Sequence, residues 1–239
     1  ATPPWYPTGR ARFGYMGVQP YEEMVSWLET GVGAGINSYV VTVPAEWLVG
    51  AHETGQLDPG LMELADAALE TGATVFLGVN YLAPMYGGIK EEAGEAMGPQ
   101  GQLVAAPPPL SSAWWEQGLS PMVLGAAEAA KQHQGIAGVH FDLELYGAGA
   151  LWFAQAYIFD PETWRFVVET LEGLSPELGA TASALEPMDR MPWLVDQGLT
   201  GFVYSRLEEE IAARAKDLRE KARGLEPDQV AVHALLDGR

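Results

Sequence analysis

The side chains of this chain best suited to chemistry gather in one run, Gly138-Val139-His140-Phe141-Asp142-Leu143-Glu144-Leu145-Tyr146. Along an extended chain side chains alternate, so His140, Asp142 and Glu144 share one face while Val139, Phe141, Leu143 and Leu145 share the other. A polar stripe on an apolar strand needs something other than a dry core to face. Asp142 and Glu144 have Cβ atoms roughly 6–7 Å apart, and their carboxyl groups can approach more closely. Carboxyls held this close resist double ionisation, and one that keeps its proton is a general acid. Glycoside cleavage needs such an acid at the leaving oxygen, together with a negative or polar group beside the positive charge that develops on the sugar. Asp142 and Glu144 are therefore the candidate catalytic pair.

Such a pair needs elements that hold it at a rim. The hydrophobic pattern switches between short β-rich runs and longer helical ones, the mark of βα units around a parallel sheet. It predicts seven strands, at 11–16, 36–43, 73–79, 136–145, 179–185, 200–205 and 229–235. Amphipathic helices are expected over 21–30, 61–71, 122–132, 161–171, 191–197 and 207–223, the first with Met24, Trp27 and Leu28 on one face. Helices close on Gly at Thr71-Gly72-Ala73 and Gln197-Gly198-Leu199. Without a phosphate-binding GxGxxG after the first strand, the repeated pattern of helix, Gly and apolar strand favours a barrel over a doubly wound sheet.

The expected fold is thus α/β, a (β/α)8 TIM-barrel-like single domain over 1–239, with seven strands visible. The segment 1–9 is an extended N-terminal stretch and 80–115 a long rim loop. The eighth strand is expected beyond Arg239, unless the barrel is incomplete or one strand within the chain lacks a recognisable pattern. Strand ends supply further rim candidates: Asn80 and Tyr81 after the third strand, Tyr146 after the fourth, Glu186 after the fifth, Tyr204 and Arg206 after the sixth, Asp237 after the seventh. Glu186, standing before Pro187, also reads as a carboxylate that opens a helix. Trp47, Trp114, Trp115, Trp152 and Trp193 fall in loops or at helix starts, where indoles could stack on sugar rings or pack helices onto the barrel.

The stretch 138–146 resembles the fourth-strand signature D-G-x-D-x-D-x-E of family 18 glycoside hydrolases, the chitinase-like TIM barrels. The last two acidic positions match as Asp142 and Glu144, while Ala137 and His140 stand at the earlier two. The resemblance implies that Glu144 protonates the glycosidic oxygen as general acid/base and that Asp142 is its partner, orienting the N-acetyl group that attacks the anomeric carbon. It also implies that Tyr204 takes the place of a tyrosine which that family uses near the end of its sixth strand. In the wider clan of retaining glycosidases the acid follows the fourth strand and the nucleophile the seventh, which gives Glu144 with Asp237 as a second pairing.

Composition narrows the partners. With 13 Lys and Arg against 32 Asp and Glu, the net charge of −19 repels nucleic-acid phosphates and anionic membranes and favours a neutral or cationic ligand, a class that includes the carbohydrate substrate implied by the carboxylate pair. The absence of cysteine removes disulfides, thiolate nucleophiles and Cys-based metal sites, and no cofactor is expected. No apolar run reaches the ~20 residues of a membrane helix. The start at Ala1, followed by Thr2-Pro3-Pro4-Trp5-Tyr6-Pro7, looks like a chain whose signal has been cleaved, giving the expectation of a secreted protein with a cytoplasmic one left open. Two other functions fit the same residues. One is a non-catalytic glycan-binding or assembly barrel, the other a metal-dependent hydrolase or isomerase using His140 with Asp142 and Glu144. The oligomeric state is left open.

Overall fold

The structure, a computed structural model, describes residues 13–17, 21–80, 96–97, 103–104, 109–142, 158–225 and 231–234. Its described elements, in chain order, begin with β1 (Phe13–Met16), α1 (Tyr21–Gly33), β2 (Ser38–Val41), α2 (Ala45–Thr54), α3 (Pro59–Thr71) and β3 (Thr74–Asn80). There follow β4 (Ala96–Met97), β5 (Leu103–Val104), a π-helical stretch (Trp114–Leu119), α4 (Ser120–Gln132) and β6 (Ile136–Asp142). The last are α5 (Pro161–Leu174), α6 (Pro176–Ser183), α7 (Pro187–Asp196), α8 (Thr200–Leu225) and β7 (Ala231–Ala234).

Five strands form one parallel sheet in the order β1-β2-β3-β6-β7. This agrees with the expected α/β class and with five of the expected strands. The strands expected at 179–185 and 200–205 are helices instead. The first lies within an Ala-rich segment introduced by Pro176-Glu177, and Ala favours helix over strand. The second is the head of α8, whose buried stripe of Val203, Leu207, Ile211, Ala215, Leu218 and Ala222 runs at helical spacing straight through the β-prone Phe202-Val203-Tyr204. Within 80–115, expected as a loop, the described residues include a two-stranded antiparallel ribbon pairing Ala96 with Val104 and Met97 with Leu103.

By contacts the chain divides into two compact units, one made of 1–87, 119–143 and 217–239, the other of 88–118 and 144–216. In the first, the sheet is buried on one face by helices. Val41, Val75, Leu77, Val79, Val139 and Phe141 are all wholly enclosed, and α2 packs on α4, α4 on β6, and α1 on α3. Two glycines set how closely these layers approach. A Cβ on Gly125 of α4 would overlap the Leu48 carbonyl of α2, and one on Gly135 would overlap the Ala65 carbonyl of α3. Asp58 caps α3, its Oδ1 accepting from Gly60 N at 2.8 Å, and Gly72 ends that helix at φ 72°.

The second unit is organised around Arg190 of α7, which is 8% exposed. Its Nη1 donates to the carbonyls of Ile158 and Phe159, each at 2.8 Å. Its guanidinium lies 4.8 Å from the centre of the Trp164 ring. Trp164 in turn donates from Nε1 to Ala182 O at 3.1 Å, which joins α5 to α6. Asp160 opens α5 by accepting from Thr163 N at 2.8 Å.

The layer spacing gives a paired test in urea denaturation. Gly125→Ala is expected to cost about 3 kcal/mol, because the obstacle is backbone that cannot move aside. Gly50→Ala, mid-helix in α2 with nothing near its Cβ position, is expected to gain about 0.5–1 kcal/mol.

Candidate active site

The site is built by the register of β6. Val75 pairs with Ile136 but Phe76 with Gly138, so Ala137 is an extra residue, a bulge in the ladder. Gly138 takes φ 155°, a backbone that side chains rarely adopt. Beyond the bulge the pairing is regular: Val139 with Leu77, His140 with Gly78, Phe141 with Val79, Asp142 with Asn80. Burial follows, with Val139 and Phe141 fully enclosed under the helices and His140 and Asp142 half-buried on the other face. The expected alternation is therefore observed for His140 and Asp142.

Asp142 and Asn80 sit side by side at the C-terminal ends of neighbouring parallel strands, about 4.8 Å apart in backbone spacing. One level down, His140 stands beside Gly78, and on its other side β7 places His233 in register with it. A Cβ on Gly78 would come within 3.3 Å of Thr42 Oγ1 and 2.9 Å of Val40 Cγ1, so the glycine leaves room between the threonine hydroxyl and the histidine strand. The face thus offers a carboxylate, a carboxamide, an imidazole and a hydroxyl where parallel α/β folds bind their ligands. Asn80 was legible as a strand end. Thr42 was not, since nothing local distinguishes it from any threonine after a strand.

The other expected site residues fall elsewhere. Glu144, Tyr146, Tyr81, Trp152 and Asp237 lie outside the described residues. Tyr204 does not close a strand; it is on α8, within the second unit's part of that helix. Burial pushes its phenol up to about 12. Glu186 does not end a strand either. It immediately precedes α7, the second of its two expected readings, though its side chain makes no capping hydrogen bond. Its charge instead favours the charged form of Arg190, as does that of Asp160, against the burial that pulls the guanidinium down. Trp114 and Trp115 are buried, Trp115 donating from Nε1 to Pro109 O at 2.9 Å, so these two indoles pack the fold. Among the described residues, no three His, Asp or Glu side chains converge on a point that could hold a metal ion. No described helix is long and apolar enough to cross a membrane.

No protein family model and no curated protein matches the sequence. Among solved structures, the chain is similar to the catalytic domain of beta-amylase from Paenibacillus polymyxa, with a TM-score of 0.63 at 14% identity. The match covers 93% of this chain and 65% of that one, so the chain spans less than two-thirds of the domain it resembles. The likeness is one of fold, shared along a sheet of parallel strands flanked by helices.

Tyr204 yields a pH test. A phenol whose folded pKa exceeds the unfolded value of 10.0 contributes stability that is complete below pH 10 and lost as pH rises toward about 12. Tyr204→Phe is expected to remove that part of the alkaline loss, as checked by denaturation at a series of pH values against wild type.

Proposed function

We propose that this chain is a carbohydrate-active protein of the glycoside hydrolase type, built as a (β/α) barrel and acting on a neutral poly- or oligosaccharide. In this reading Glu144, two residues along the chain from Asp142, donates a proton to the glycosidic oxygen. Asp142 supplies the negative charge beside the sugar as positive charge develops on it. Asn80, in register with Asp142, positions a substrate hydroxyl or steadies the carboxylate, and His140 stands where the family 18 signature has an aspartate. Tyr81, Tyr146 and Trp152 are proposed as wall residues of the same cleft.

The observation that carries the reading is the juxtaposition of Asp142 and Asn80 at the C-terminal ends of adjacent parallel strands, in a fold similar to a beta-amylase catalytic domain. The net charge of −19 favours a neutral substrate over an anionic one. The test is hydrolysis of a panel of α-glucans and chitin oligosaccharides by wild type and by Glu144→Gln. The variant is expected to lose about 100-fold or more in kcat while keeping sugar affinity, the usual scale for removing a general acid. Wild-type turnover in Glu144→Gln overturns the assignment. Binding without hydrolysis by wild type moves the chain to the non-catalytic, glycan-binding reading.

A further inference from the structure

The opposite face of the sheet carries a second feature that the Asp142 cleft does not use. Under α1, beside β1, is a cavity of about 480 Å³. Its floor is the ring of Tyr39, 3% exposed, whose hydroxyl donates to Leu28 O at 3.3 Å. Two glycines grip that ring. A Cβ on Gly14 would come within 3.0 Å of its edge, and one on Gly31 would overlap its hydroxyl. The floor is therefore fixed, and its lack of side chains at these two positions leaves the hollow open.

The rim is unlike a packing surface. Trp27, expected on the packed face of α1 with Met24 and Leu28, is 60% exposed, while those two are fully enclosed. Ser26 and Thr30, one helical turn apart beside the indole, are exposed, and neither hydroxyl has a hydrogen-bond partner among the described residues. Four other helix threonines, Thr54, Thr71, Thr170 and Thr181, each donate to the carbonyl four residues back, and the two helix threonines whose hydroxyls have no such partner, Thr163 and Thr200, are turned into the protein rather than toward a rim. The rim thus presents a flat aromatic face and two exposed hydroxyls around an apolar hollow. Glu22, Glu23 and Glu29 on the same helix, with no basic residue in its last turn, turn away anions.

A saccharide unit has the matching chemistry: a neutral ring with an apolar C–H face and a fringe of hydroxyls. We propose that this cavity is a second saccharide-binding site, in which a sugar ring lies on Trp27 and hydrogen-bonds to Ser26 and Thr30. It shares the ligand class of the proposed function but uses none of its residues. A site here would hold a polymeric glycan while another stretch of it is processed, raising the local concentration of substrate.

The test is calorimetric titration of the full chain with maltohexaose and, separately, N-acetylchitohexaose, in the Glu144→Gln background so that neither is consumed. Trp27→Ala is expected to weaken binding of one of these probes roughly tenfold, Trp27→Phe less, and the double variant Ser26→Ala with Thr30→Val to weaken it also. Turnover of a short soluble substrate by Trp27→Ala in the otherwise wild-type chain is expected to be unchanged, which also reports that the variant is folded. Equal binding with and without Trp27 overturns the proposal, as does retention of an apolar dye in the cavity that neither saccharide displaces. Trp27-dependent binding without any glycan hydrolysis by wild type supports this site while overturning the hydrolase reading. Hydrolysis without Trp27-dependent binding does the reverse.

Discussion

Everything in the sheet unit depends on the parity of β6. Side chains on a strand have a period of two, so one added residue exchanges the faces of all that follow. The bulge at Ala137 is such an addition. Were Ala137 paired with Phe76, His140 and Asp142 would face the helices, and Val139 and Phe141 would face away from them. A buried carboxylate and imidazole would then lose their water and find apolar neighbours, while two apolar side chains lost their cover. Gly138 makes the correction affordable, since its φ of 155° is reached without a Cβ to oppose it. The half-buried polar strip and the fully enclosed apolar layer are two results of one irregularity.

A different constraint governs the second unit, where a charge is taken out of water. Arg190 keeps its hydration replaced by two carbonyl groups and the face of Trp164, with the negative charges of Asp160 and Glu186 offsetting the cost of burial. Asp160 meets the opposing pressure, since burial raises its carboxyl while the amides of Thr163 and Glu162 pull it down. One guanidinium on α7 thus reaches the carbonyls of the 158–159 turn and lies over Trp164 of α5, a polar contact that all three share.

Much of the sheet unit was legible in the sequence because its pattern is strong. Short apolar runs alternating with amphipathic helices mark β1, β2, β3, β6 and β7, with Gly72 ending the helix before β3, and the polar-apolar alternation of His140 to Asp142 shows which residues share a face. The bulge was not read from the sequence, although a glycine inside a strand pattern, as at Gly138, is the local signal that marks one. In the second unit, local propensity misled. Phe202-Val203-Tyr204 favours a strand by composition, yet the stripe that continues to Ala222 outweighs it, since packing of a long face overrides the preference of a few residues. This moved Tyr204 from a strand end to a helix. Trp27 was misassigned for a related reason: an indole at helical spacing reads as core, yet here it stands exposed beside the enclosed Met24 and Leu28. Arg190 gave no local signal, because a single arginine between Asp189 and Met191 says nothing of the carbonyls some thirty residues earlier.

The alternation of β6 has a consequence for how such a chain can change over time. Residues that hold the strand under the helices and residues that face away from them occupy alternate positions, and the two sets face different surroundings. A substitution at His140 or Asp142 can rewrite what the strand does without disturbing the apolar layer that Val139 and Phe141 complete. The scaffold and the chemistry are therefore close to independently heritable, which allows a fold to be retained while the residues on one face of its strand change.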